Sequence, residues 1–133
     1  MATTRKTVND LTAAAHARLV RLEPRGALEA MESGSTLIDT RCGELLRETG
    51  TIPGSVHVPL SVLFWRLDPA SGHDDPALCD PTRQVILMCA HGYSSSLAAA
   101  TLQELGFARA TDVIGGFAAW AAAGLPIERP PEA

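Results

Sequence analysis

The sequence predicts an α/β fold: a five-stranded, mostly parallel sheet with helices on both faces. Short apolar runs alternate with helix-forming stretches along most of the chain, the pattern of strands joined by crossover helices. One run, Gln84-Val85-Ile86-Leu87-Met88, is hydrophobic almost without a break, as expected of a strand buried on both faces. Immediately after it, Cys89 stands where strand gives way to loop and loop to helix.

Residues 1–18 read as an amino-terminal extension, partly helical. Leu19-Val20-Arg21-Leu22 reads as the first strand, and Pro24 opens a helix that reaches about Met31 and ends at Ser33-Gly34. A second strand at Thr36–Thr40 and a short helix at Glu44–Glu48 follow. The turn Ile52-Pro53-Gly54 leads into a third strand, Val56–Val58. Residues 68–82 carry three prolines and four aspartates and read as a solvated surface excursion. After the fourth strand, Ser94 and Ser95 supply N-cap chemistry to the helix Leu97–Leu105, which Gly106 closes. Asp112-Val113-Ile114 is the fifth strand, and Phe117–Ala123 a helix stopped by Gly124 and Pro126. Residues 19–128 thus form one domain, and 129–133 a frayed tail.

At 133 residues, 46% hydrophobic and 20% charged, the composition is that of a globular protein with a single core. A formal net charge of −4 argues against nucleic acid or an anionic membrane as partner. No run is long enough to span a bilayer, and His16 and Arg18 interrupt any signal-peptide core. Three cysteines without C-x-x-C spacing suit neither a disulfide framework nor a zinc ribbon, so a cytoplasmic, reducing location is expected. His16, His57 and His73 form no ligand spacing, and no metal or organic cofactor is expected.

Free cysteines usually act as small buried hydrophobes, and Cys42 and Cys79 read that way. Cys89 differs. A thiol beside a helix N-terminus meets the positive end of the macrodipole and unpaired N–H groups, both of which favour the thiolate. Gly92 adds backbone freedom.

Three separated segments resemble the rhodanese family over roughly residues 19–128: Leu37-Ile38-Asp39-Thr40-Arg41 with Gly50 to Pro59, then Cys89-Ala90-His91-Gly92-Tyr93-Ser94, then Val113 to Ile127. The resemblance implies a rhodanese-like fold and a single-domain sulfurtransferase that carries a sulfane sulfur as a persulfide on Cys89. It implies a small anionic donor such as thiosulfate and a thiol, cyanide-like or protein acceptor, in a monomer or homodimer. It also implies a cradle of backbone N–H groups from Ala90, His91, Gly92, Tyr93, Ser94 and Ser95, which matches the physics of an anion nest. Many family members have arginine where Ser94 stands, and some thiosulfate users have one where Leu45 stands. The positive complement to a dianion is therefore thin.

Asp39 either orients the loop or caps the next helix, the second being favoured. Arg41 either pairs with Glu44 or Glu48 or contacts substrate. Trp120 reads as core, and core packing is also favoured for Phe64 and Trp65 over a place in the pocket wall. Two other functions compete. A cysteine phosphatase or arsenate reductase needs an arginine six residues after its cysteine, where this chain has Ser95. A non-catalytic sensor or binding module would not need Cys89 at all.

Overall fold

The computed structural model describes residues 5–129; of the expected tail only Arg129 falls among them. Four parallel strands, β1 (Thr36–Asp39), β2 (Val56–His57), β3 (Val85–Met88) and β4 (Thr111–Asp112), lie in the order β2-β1-β3-β4. Six α-helices accompany them: α1 (Val8–Arg18), α2 (Pro24–Glu32), α3 (Gly43–Thr49), α4 (Leu63–Leu67), α5 (Ser94–Glu104) and α6 (Gly116–Ala122).

Side chains alternate across the sheet, so β3 serves two cores. Val85 and Leu87 join Ile38, Ala99, Leu102 and Phe107 on one face, beneath α5. Ile86 and Met88 join Leu37, Ala27, Phe117 and Trp120 on the other, beneath α2 and α6. Helix α1 packs on α5, and α2 on α6 and β1. Since all strands run the same way, their carboxyl ends share one edge, where ligand crevices of such sheets form.

The fifth strand expected at 19–22 is reduced to one parallel bridge, Leu22 to Val113. Five residues separate α1 from α2, and of these Leu22 alone makes ladder bonds, donating to the Asp112 carbonyl at 3.1 Å and accepting from Ile114 N–H at 2.9 Å. The other expected elements are present with shifted ends. Helix α5 begins at Ser94 with Tyr93 in the cap position, so Ser94 and Ser95 are first-turn residues and not caps. Trp120 is fully buried and its Nε1 donates to the Pro126 carbonyl at 2.9 Å. Phe64 packs against the core edge, but Trp65 does not: it is 53% exposed. The 68–82 segment has no helix or strand, yet it is tied down, with Leu78 in the core and Asp75 N–H donating to the Arg66 carbonyl at 2.8 Å. Its apolar anchor outweighs its turn-rich composition.

Candidate active site

Cys89 directly follows β3, and its sulfur lies inside the turn that links this strand to α5. The Gly92 N–H donates to Sγ at 3.1 Å, and Sγ lies 3.3 Å from Ser95 Oγ. The loop closes this tightly because Gly92 takes a positive φ of 85° and because the start of α6 holds it from outside. Phe117 N–H donates to the Cys89 carbonyl at 2.8 Å, and Ala118 N–H to that of Ala90 at 3.0 Å.

Burial alone raises the pKa of the Cys89 thiol, but hydrogen bonds from Ser95, Ser94 and the Gly92 amide outweigh it, and the net shift is downward. Cys79 moves the other way. Desolvation, a hydrogen bond with Asp74 and the charges of Asp74, Asp75 and Asp68 push it up to about 11. A plot of alkylation rate against pH for each cysteine should therefore give Cys89 a midpoint below the ordinary thiol value and Cys79 one near 11. The thiolate exists above each midpoint, so Cys89 reactivity should fall as pH drops through its own. Equal midpoints would show that the loop does not ionise Cys89.

Of the six residues expected to form the cradle, Gly92, Ser94 and Ser95 bond to the sulfur; Ala90, His91 and Tyr93 make no hydrogen bond to it. Gly92 and Ser95 are buried against the sulfur, whereas the Tyr93 side chain is 74% exposed. Ala90 and His91 line a cleft of about 390 Å³ beside the loop, with Leu45, Phe117, Ile127 and Arg129 among its other walls. The cleft is largely apolar. Leu45 stands in its wall, and Phe64, Trp65 and Arg66 do not.

Of the two readings of Arg41, the structure bears on the pairing with a nearby acid, and that acid is neither Glu44 nor Glu48. Instead its guanidinium grips Asp39: Nε and Nη2 donate to the two carboxylate oxygens at 3.0 and 2.8 Å. It also donates to Thr49 Oγ1 and the Gly50 carbonyl, and lies 3.7 Å over the Phe117 ring. Asp39 is nearer in sequence and already buried at the strand end, so leaving it unpaired would cost more than losing an exposed partner. Arg41 thus lines the cleft wall with four of its five N–H groups engaged. The Asp39 carboxylate bonds to Arg41 alone, accepting also from its backbone N–H at 3.1 Å, and makes no hydrogen bond to Cys89 or its loop.

Sequence reasoning missed a second layer behind the sulfur. Asp112, at the end of β4 and fully buried, accepts from Ser95 Oγ and Ser96 Oγ, each at 2.7 Å, and from Arg21 Nε at 2.8 Å. The only signal was an acidic residue opening a short apolar run, Asp112-Val113-Ile114. Which strand lies beside that of Cys89 is decided by the sheet order. Among the described residues no group of His, Cys, Asp and Glu gathers as a metal site, and no helix is long and apolar enough to cross a membrane.

The model of the rhodanese-like domain matches residues 23–123. The chain belongs to this family. Among its relatives, the thiosulfate sulfurtransferase GlpE of Pseudomonas savastanoi pv. phaseolicola is 35% identical over 102 residues, covering 77% of this chain and 87% of the relative. That of Actinobacillus pleuropneumoniae is 35% identical over 108 residues, covering 80% and 91%. Among solved structures, a Rhodopseudomonas palustris protein of unknown function, described as a possible tyrosine phosphatase, superimposes with a TM-score of 0.86 at 29% identity, covering 96% of this chain and 98% of its own. The homodimeric polysulfide-sulfur transferase of Wolinella succinogenes gives 0.71 at 27% identity, with 91% and 86% covered. Sulfur transfer is the activity named for both curated relatives and for the Wolinella succinogenes structure.

Proposed function

We propose that this rhodanese is a sulfurtransferase working by double displacement at Cys89, with thiosulfate as a donor. The observation that carries the reading is the position of the Cys89 sulfur, at a strand end, within hydrogen-bond reach of a loop amide and a helix-start hydroxyl. The thiolate attacks the outer sulfur of the donor; the donor's S–S bond breaks and sulfite leaves with the electron pair. A nucleophilic acceptor, a thiol or cyanide, then attacks the outer sulfur of the resulting persulfide, and Cys89 departs as the thiolate. A depressed pKa serves both halves, first as nucleophile and then as leaving group. Three free thiols suit a reducing, cytoplasmic setting.

Intact mass after incubation with thiosulfate tests this directly. The protein should gain one sulfur and lose it to cyanide; no gain would sink the proposal.

The phosphatase reading is disfavoured by Ser95. Its buried side chain stands six residues after the cysteine, with a carboxylate behind it and no cation of its own, where phosphoryl transfer needs a guanidinium facing the substrate.

Thiosulfate capture should be weak, because the cleft beside the loop is walled by Leu45, Phe117 and Ile127, and Arg41 is already engaged. We expect a KM at or above about 1 mM. Ala90→Arg, placing a cation in the cleft wall, should lower it about fivefold or more through charge-assisted contacts. An unchanged KM in steady-state assays would show that a cation already present, Arg129 foremost, meets the donor.

A further inference from the structure

Behind the sulfur, one hydroxyl proton has two claimants. Ser95 Oγ lies 3.3 Å from Cys89 Sγ and 2.7 Å from Asp112 Oδ2, and a hydroxyl donates only once. While Ser95 donates to Asp112, its oxygen can only accept from the thiol. To stabilise the thiolate it must turn its proton to sulfur. Asp112 can spare that proton because its other donors remain: Ser96 Oγ at 2.7 Å, Arg21 Nε at 2.8 Å to Oδ1 and Arg21 Nη2 at 3.2 Å to Oδ2. Arg21 Nη2 also donates to the Gly92 carbonyl at 3.2 Å, so the guanidinium ties Asp112 to the sulfur loop. His16 Nε2 lies 3.0 Å from Ser96 Oγ, and with Ser96 donating to Asp112 the ring is left the role of donor. His16 and Arg21 both precede residues 23–123, the span the family model matches.

We propose that Asp112, clamped by Arg21 and braced through Ser96 by His16, is a positioning residue that directs the Ser95 proton and thereby sets the charge state of Cys89. This deepens the sulfurtransferase reading and rests on Cys89 as nucleophile. The titratable groups on the elements around the loop are Asp112 from β4, Arg21 from the segment before α2, His16 from α1, His91 and Tyr93 within the loop, and the pair of Asp39, the last residue of β1, with Arg41; α6 carries none. Asp112 is the anion that reaches the sulfur through a single hydroxyl.

A purely structural role and this one predict opposite signs. Asp112→Asn puts an amide where the carboxylate was, which can donate to the Ser95 and Ser96 oxygens and releases the Ser95 proton to sulfur. The pH midpoint for alkylation of Cys89, followed on the Cys89 peptide by mass spectrometry, should fall by about one unit. A loosened loop would instead raise it towards that of a free thiol. Asp112→Ser, also neutral and smaller, should shift it the same way and serves if the amide is not accommodated by the Arg21 fork. In a Ser95→Ala background the shift should be at least halved, because the path through the hydroxyl is gone. An unchanged or raised midpoint in whichever of the two neutral variants folds, or an undiminished shift without Ser95, would overturn the proposal. The readout follows Cys89 itself and needs no turnover, so a failure of the sulfur-transfer reading would show separately, as absence of sulfur uptake by the wild type.

Discussion

Replacing Cys89 by serine is expected to abolish sulfur transfer, by roughly a thousandfold or more, while leaving the fold intact. An alcohol neither ionises in this field nor holds a persulfide. The substitution is nearly isosteric, and the site already offers a hydroxyl oxygen good partners, Gly92 N–H and Ser95 Oγ, so thermal stability should barely move. The two other thiols serve as controls. Cys42 is exposed and occupies the N-cap of α3 with no side-chain capping bond, a position where serine is preferred; Cys42→Ser should be neutral or slightly stabilising. Cys79 meets only Asp74, the Asp75 carbonyl and the Arg66 carbonyl, away from the loop, so Cys79→Ser should leave turnover unchanged. Thiosulfate:cyanide turnover and intact mass on the three variants decide the matter. Appreciable turnover by Cys89→Ser, or its loss in Cys79→Ser, would displace Cys89 as the nucleophile.

The second large effect is expected outside the loop, at Gly116. This residue opens α6 with a φ of 60°, and a Cβ there would run into the Cys89 carbonyl oxygen while lying 2.8 Å from Gly92 N and 2.9 Å from the Ala90 carbonyl carbon. Those atoms are backbone and cannot swing aside as a side-chain end would. Gly116→Ala combines left-handed strain with overpacking, together about 2–5 kcal/mol, and should lower the melting temperature by about 10 °C or more. The collision also pushes on the turn that brings Gly92 N–H to the sulfur, so the alkylation midpoint of Cys89 should rise towards that of a free thiol. A variant that melts with the wild type and keeps its Cys89 midpoint would show that α6 does not hold the loop.

Much of this protein is legible from its sequence because its signals are local. The apolar run at 84–88, the glycine-bearing turn after Cys89 and the helix-forming stretch beyond it each depend on neighbours a few residues away. Alternation of strand and helix indicated a parallel sheet, and a thiol at a helix start indicated where chemistry would sit. What failed was whatever depended on contacts made through space. Of the strand expected at 19–22 only the bridge from Leu22 to Val113 is present, and Trp65 stayed outside a core that its hydrophobicity suggested it would enter.

Partner choice belonged to the tertiary structure alone. Arg41 is followed by Glu44 and Glu48 at helical distance, yet it pairs with Asp39, because an ion pair is settled by which carboxylate loses its water on folding. Asp112 lies 23 positions from Cys89 and looks like an ordinary strand residue until the order β2-β1-β3-β4 sets β4 beside β3. Arg21 and His16 lie farther still along the chain, and reach the loop only because the Leu22 bridge and the packing of α1 on α5 carry them there. Local periodicity carries information over a few residues, so it identified the sulfur and its loop; the side chains behind them meet through space, and sheet order and helix packing decided which ones they are.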